Sequence, residues 1–233
     1  MEHKRLTLFA GHYGSGKTNL ALNYALSLAR EGRRVAAADL DIVNPYFRTK
    51  DAASALETAG IELISSPYAN TNLDVPAMPK EIYSLVEGRD RFGVLDVGGD
   101  DRGALALGRY VPAIRQENDY EMLLVVNFAR PLTRTAADAL AVAREIETAC
   151  ALPFTAIVNN TNLGTETSAE DVLMSLPRAE ELSRLLGIPV KMTSAERRLA
   201  PALREKVENL FPIDIMELYY MEKEGTGHGK TNL

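Results

Sequence analysis

Eight residues near the start of the chain, Gly11-His12-Tyr13-Gly14-Ser15-Gly16-Lys17-Thr18, place glycines, a lysine and a hydroxyl at the spacing GxxxxGK(S/T). Each type has a use against a polyphosphate. Glycines let the backbone wrap an anion so that successive N–H groups point inward, and a following helix adds its positive end. Lys17 would neutralise charge on the β- and γ-phosphates, and the Thr18 hydroxyl would ligate Mg²⁺. The run from Gly11 to Asn19 is therefore the candidate nucleotide-contacting segment, with Lys17 also a candidate catalytic residue.

Phosphoryl chemistry needs acids as well as a cradle. One apolar run ends in Asp39-Leu40-Asp41 and another in Asp96-Val97-Gly98-Gly99-Asp100-Asp101. Carboxylates at such strand ends can hold metal-bound water and position an attacking water, and the glycines after Asp96 allow a backbone N–H to approach a γ-phosphate. Alone, each acidic cluster reads as a loop or a helix cap. On one sheet edge with a phosphate-binding loop, the two become a site.

The elements that would put them there are legible. Short apolar runs at Leu6 to Ala10, Arg34 to Ala38, Glu62 to Ser65, Gly93 to Val97, Met122 to Asn127, Phe154 to Asn159 and Pro189 to Met192 read as strands covered on both faces. Between them, Lys17 to Arg30, Tyr46 to Ala59, Pro76 to Glu87, Arg102 to Arg115, Thr133 to Ala149, Ala169 to Leu186 and Ala195 to Val207 have helical spacing. The expectation is an α/β fold, one three-layer doubly wound domain over 1–224 on a mostly parallel sheet of about seven strands. Gly32, Gly60 and Gly187 fall where helices should stop. Val207 to Glu224 reads as a further helix packed on the domain, and 225–233 as a disordered polar tail.

The phosphate loop, the Asp39-Leu40-Asp41 strand end and Asp96-Val97-Gly98-Gly99 together resemble the MinD/ParA/Mrp branch of P-loop NTPases, which includes the CobQ and CobB nucleotide-binding domains. The resemblance runs from the first strand to about residue 195. It implies that Lys17 and Thr18 bind β/γ-phosphate and Mg²⁺, that Asp41 orients the attacking water, and that Asp39 and Asp96 join Thr18 in the metal shell. Gly99 would contact nucleotide, and the segments Asp41 to Arg48 and Asp96 to Arg102 would be switches. His12 stands where many members carry a lysine that reaches across a dimer, which puts an ATP-dependent homodimer in question. The candidates to supply that charge are a protonated His12, Arg48, Arg102 or a partner protein.

A guanine site of the GTPase type requires a carboxylate that accepts two hydrogen bonds from the base edge. The stretch Val158-Asn159-Asn160-Thr161-Asn162 has none, and Asn159 resembles the family's adenine-contacting residue, so ATP with Mg²⁺ is the expected ligand pair. Composition narrows the output. The chain has 233 residues, 46% of them hydrophobic, with a formal charge of -6 and one cysteine, Cys150. That excludes a polycation coating nucleic acid or anionic lipid, and an iron-sulfur or four-cysteine zinc site within one chain. Nucleic-acid binding through Arg130, Arg134, Arg144, Arg197 and Arg198 is not expected, because no aromatic residues interleave them. Neither a secretory signal nor a membrane helix is read, which points to the cytoplasm. The functional expectation is an ATPase switch acting on a protein partner. Alternatives are a small-molecule kinase or synthetase with substrate held by Ser66 to Pro79, and a regulator that binds nucleotide without turnover.

Overall fold

The computed structural model describes residues 3–40, 50–65, 80–98 and 101–215. Eight strands form one sheet in the order β3-β2-β4-β1-β5-β6-β7-β8: β1 Leu6–Ala10, β2 Val35–Asp39, β3 Glu62–Ser65, β4 Phe92–Asp96, β5 Tyr120–Val126, β6 Ala156–Asn159, β7 Val190–Glu196 and β8 Leu210–Ile213. Every paired neighbour runs parallel. All carboxyl ends therefore share one edge, and β1 lies where the strand order reverses, the place where such sheets bind ligands.

Helices cover both faces. Phe9, Val35, Ala37, Val94, Leu123, Val125 and Val158 pack against α1 (Lys17–Arg30) and α2 (Lys50–Thr58). The alternate residues Leu6, Leu8, Ala36, Leu95, Met122 and Leu124 pack on the other side against α3 (Lys80–Glu87), α4 (Asp101–Gly108), α5 (Val111–Glu117), α6 (Ala136–Cys150) and α7 (Ala169–Leu186). Alternation along each strand is what makes three layers from one sheet. The helices on the second face start on local chemistry: Thr135 with Asp138 and Ser168 with Asp171 form reciprocal capping boxes for α6 and α7. Gly32, Gly60 and Gly187 have φ of +77°, +70° and +71°, as helix stops require.

Four expectations need correction. The sheet has an eighth strand where a helix was expected from Val207, because Leu210-Phe211-Pro212-Ile213 pairs with Thr193 to Glu196. Proline is tolerated there, since β8 is an edge strand with one neighbour. Pairing with β8 also extends β7 to Glu196, so the segment expected as a helix from Ala195 holds only a 3-10 turn, Arg197–Leu199, and the short α8, Ala200–Leu203. Arg102 to Arg115 is two helices, broken before Pro112, which donates no N–H and fits only a first turn. Finally, Thr133 is in a 3-10 turn, Pro131–Thr133, and α6 starts later, at the Thr135 cap. The switch segment 41–48, the 66–79 loop and the 225–233 tail lie outside the described residues. No helix among the described residues is long and apolar enough to cross a membrane.

Candidate active site

Residues 11–16 leave β1 and enter α1 by a turn that only glycine can make at two points. Gly14 and Gly16 have φ of +78° and +82°, and Gly16 is the N-cap of α1 with no side-chain cap. No serine or aspartate side chain caps the first turn of α1, the arrangement that suits a helix start facing an anion. At Gly11 the constraint is proximity instead: a Cβ there would lie 2.3 Å from the Val125 carbonyl oxygen of β5. Lys17 is buried at 5% exposure in the first turn of α1, whereas Tyr13 at the loop tip is 59% exposed. His12 is half-buried, its Nδ1 2.9 Å from the Tyr13 carbonyl oxygen, so Nδ1 carries the proton in that contact.

Strand pairing sets the acids beside the loop. Asp39 and Asp96 are register partners at the ends of β2 and β4, and both are buried. The Thr18 hydroxyl donates to Asp96 Oδ2 at 2.5 Å, joining the first turn of α1 to β4. A hydroxyl and two carboxylates make an all-oxygen donor set, the type that suits Mg²⁺. No group of three or more His, Cys, Asp or Glu side chains poised for a metal occurs among the described residues. Asp41 and Gly99 lie outside the described residues.

The other flank of the loop is held by a buried amide network that sequence reading largely missed. Asn160 Nδ2 donates to the Ser15 carbonyl at 2.7 Å, and its Oδ1 accepts from the Ser194 hydroxyl at 2.6 Å. Asn160 thereby ties the loop to β7. Asn127, fully buried, links the ends of β5 and β6: Nδ2 donates to the Asn162 carbonyl, and Oδ1 accepts from the N–H groups of Ala129 and Asn162. Asn159 is also fully buried, with Nδ2 donating to Ser175 Oγ at 2.7 Å and Oδ1 accepting from Thr161 Oγ1 at 2.7 Å. Its amide is engaged with α7 and its own loop, and the neighbour Asn160 is the one that touches the phosphate loop. A clue was present, since four polar residues in a row after an apolar strand need partners once buried. Asn19 Nδ2 donates to the Asp214 carbonyl at 3.3 Å, tying α1 to the segment after β8.

The scattered arginines divide. Arg144 pairs with Glu147, Arg197 with Asp214 in a two-pronged contact, and Arg198 with Glu196. The Arg197 guanidinium holds the Asp214 carboxyl below its ordinary range. Arg130 differs: its Nε donates to the Gly14 carbonyl at 3.1 Å, on the phosphate loop itself.

Comparison with known proteins agrees with this fold. The chain is similar in fold to the cell division protein FtsY of Thermotoga maritima (TM-score 0.58, 18% identity, 90% of this chain and 65% of that one). It is similar also to chloroplast FtsY of Physcomitrella patens (TM-score 0.57, 19% identity, 83% and 59%). The 54 kDa signal recognition particle protein of Aeropyrum pernix, solved in complex with GDP, is a third (TM-score 0.52, 16% identity, 82% and 41%). The chain spans less than two thirds of the length of each, and at these identities the likeness is one of fold: that of the P-loop NTPases. No curated protein matches the chain in sequence. The family described as "CobQ/CobB/MinD/ParA nucleotide binding domain" matches residues 6–210, most of the chain, and the chain belongs to that family.

Proposed function

We propose that this chain binds and hydrolyses Mg-ATP and serves as a nucleotide-dependent switch on a protein partner. The observation that carries the reading is the meeting of Thr18, Asp96 and Asp39 at the carboxyl edge beside an uncapped helix N-terminus. A phosphate cradle and an oxygen donor set there are the parts phosphoryl transfer needs. In this reading Gly11 to Asn19 surround the phosphates, Lys17 neutralises their charge, and Thr18, Asp39 and Asp96 hold Mg²⁺, which would offset charge developing on the β- and γ-oxygens. Asp41 orients the attacking water, and Gly99 offers a backbone N–H to the γ-phosphate. Switching would follow from ordering of the segments after Asp39 and Asp96 around that phosphate. ATP is favoured over GTP because residues 159–163 contain no carboxylate to accept from the guanine edge.

The test is phosphate release from Mg-ATP and Mg-GTP by the full chain, with Lys17→Ala and Asp41→Ala beside it. Turnover of ATP, abolished in both variants while Asp41→Ala still binds nucleotide, is the expected result. Equal affinity for both nucleotides would remove the base assignment, and turnover unchanged in Lys17→Ala would remove the site.

A further inference from the structure

The phosphate loop has two unlike flanks. On the β4 and β2 side stand Asp96 and Asp39, with Thr18 bonded to the former. On the opposite side, β5 neighbours β1 and β6 neighbours β5, and their end loops touch the phosphate loop through Arg130, at Gly14 O, and Asn160, at Ser15 O. A nucleotide threaded on the loop directs its metal-bearing phosphates to the acidic flank. Its nucleoside must then leave over β5 and β6.

Arg130 waits on that side in a half-committed state. Nε is taken by Gly14 O, which fixes the guanidinium plane relative to the loop, while neither terminal nitrogen makes a hydrogen bond or ion pair among the described residues. The side chain is exposed. The same two loops expose Leu132 at 59% and Leu163 at 51%, apolar surface of the kind a base plane covers. A planar, weakly hydrated cation with four spare N–H donors on two terminal nitrogens suits a purine face and ribose oxygens better than an ammonium would.

We propose that Arg130 is a nucleoside clamp, stacking its guanidinium on the base and reaching the ribose while Nε braces the loop. The inference rests on the nucleotide reading above and adds a residue for the half of the ligand that the phosphate loop does not touch. A clamp on the nucleoside contributes equally to di- and triphosphates and nothing to a phosphate chain without a base.

The experiment is calorimetric binding of Mg-ATP, Mg-ADP and Mg-tripolyphosphate to the full chain and to Arg130→Ala and Arg130→Lys, with the urea midpoint of each as a check on folding. Arg130→Ala is expected to weaken ATP and ADP alike by roughly tenfold, and to leave tripolyphosphate within about twofold. Arg130→Lys should recover less than half of the loss on a logarithmic scale, since it restores charge without the plane. An equal loss for tripolyphosphate, or full recovery by lysine, would make Arg130 a loop brace or a phosphate charge and overturn the clamp. Unchanged nucleotide affinity in Arg130→Ala would do the same. A wild-type chain that binds neither ATP nor ADP overturns the parent reading, and the clamp with it.

Discussion

Gly16 and Asn160 should be coupled, and the size of the coupling follows from two contacts. Gly16 sits at φ +82°, where an L-residue costs about 1–2 kcal/mol. A Cβ there would also stand 2.4 Å from Asn160 Nδ2, against 3.4 Å or more for ordinary contact. The amide cannot retreat freely, because it is buried at 3% exposure and held at 2.7 Å to Ser15 O and 2.6 Å to Ser194 Oγ. Displacing it breaks both bonds, at roughly 1–1.5 kcal/mol each. Gly16→Ala should therefore lower stability by about 4 kcal/mol, and Asn160→Ala, which loses the same bonds without strain, by about 2–3 kcal/mol. In the double variant the clash is gone and the bonds are lost only once, so the total remains near 4 kcal/mol. Gly16→Ala thus costs only about 1–2 kcal/mol in the Asn160→Ala background, a coupling of about 2–3 kcal/mol. Urea unfolding of the four proteins at neutral pH measures it. Costs that add to within about 0.5 kcal/mol would mean that Asn160 does not brace the loop, and would refute the reasoning.

Two other sites give predictions of different kinds. Tyr110 is fully buried against Tyr83, its hydroxyl makes no hydrogen bond among the described residues, and burial, then the Tyr83 phenol, pushes its pKa from 10.0 up to about 12. The folded state thus favours the neutral phenol, so this group's stability contribution is intact below pH 10 and is lost as pH rises from 10 through about 12. Tyr110→Phe should be neutral or stabilising by about 1 kcal/mol at pH 7 and should flatten the alkaline limb of a stability-against-pH curve. A destabilised variant at pH 7 would reveal a partner for the hydroxyl. Arg5, 7% exposed, pairs with Glu117 at 2.6 Å and donates to the last carbonyls of α3, at Leu85 and Val86. Arg5→Met strands those carbonyls and leaves the buried Glu117 carboxylate to Arg89 alone, whose Nε lies 3.2 Å from its other oxygen, and should cost about 2–4 kcal/mol by urea unfolding, whereas a loss under about 1 kcal/mol would mark the pair as solvated.

The parts of the site legible in the sequence were those whose partners are close along the chain or fixed by strand alternation. The phosphate loop is one contiguous string, and Asp39 and Asp96 are read from where apolar runs stop. The eighth strand was not legible because Leu210 to Ile213 carries no period of its own; it becomes a strand only by pairing with β7, which in turn lengthens to meet it. Asn160 was hidden for a related reason. Asn159 and Asn160 are adjacent and chemically identical, and alternation along β6 turns one toward Ser175 on α7 and the other toward the loop and Ser194. Which of the two reaches the phosphate loop depends on a half-turn of pleat, and a strand end placed to within two residues cannot fix it.

The same distinction explains how the two flanks of the loop can act differently. On the β5 and β6 flank the amides of Asn127, Asn159 and Asn160 are buried and bonded, and through Asn160 the Ser15 carbonyl of the loop is held before any ligand arrives. On the metal flank the tie is the Thr18 hydroxyl donating to Asp96. A hydroxyl has one proton and two lone pairs, so donation to Asp96 leaves both lone pairs of Oγ1 for a cation and aims them away from the carboxylate. That hydrogen bond therefore orients a ligand atom rather than competing with it, and loading the metal would not require it to break. Removing the hydroxyl while keeping the volume, as in Thr18→Val, takes away both the ligand atom and the donor to a buried Asp96. The loss should appear chiefly in the Mg²⁺ dependence of nucleotide binding, with binding of the nucleotide in excess chelator much less affected.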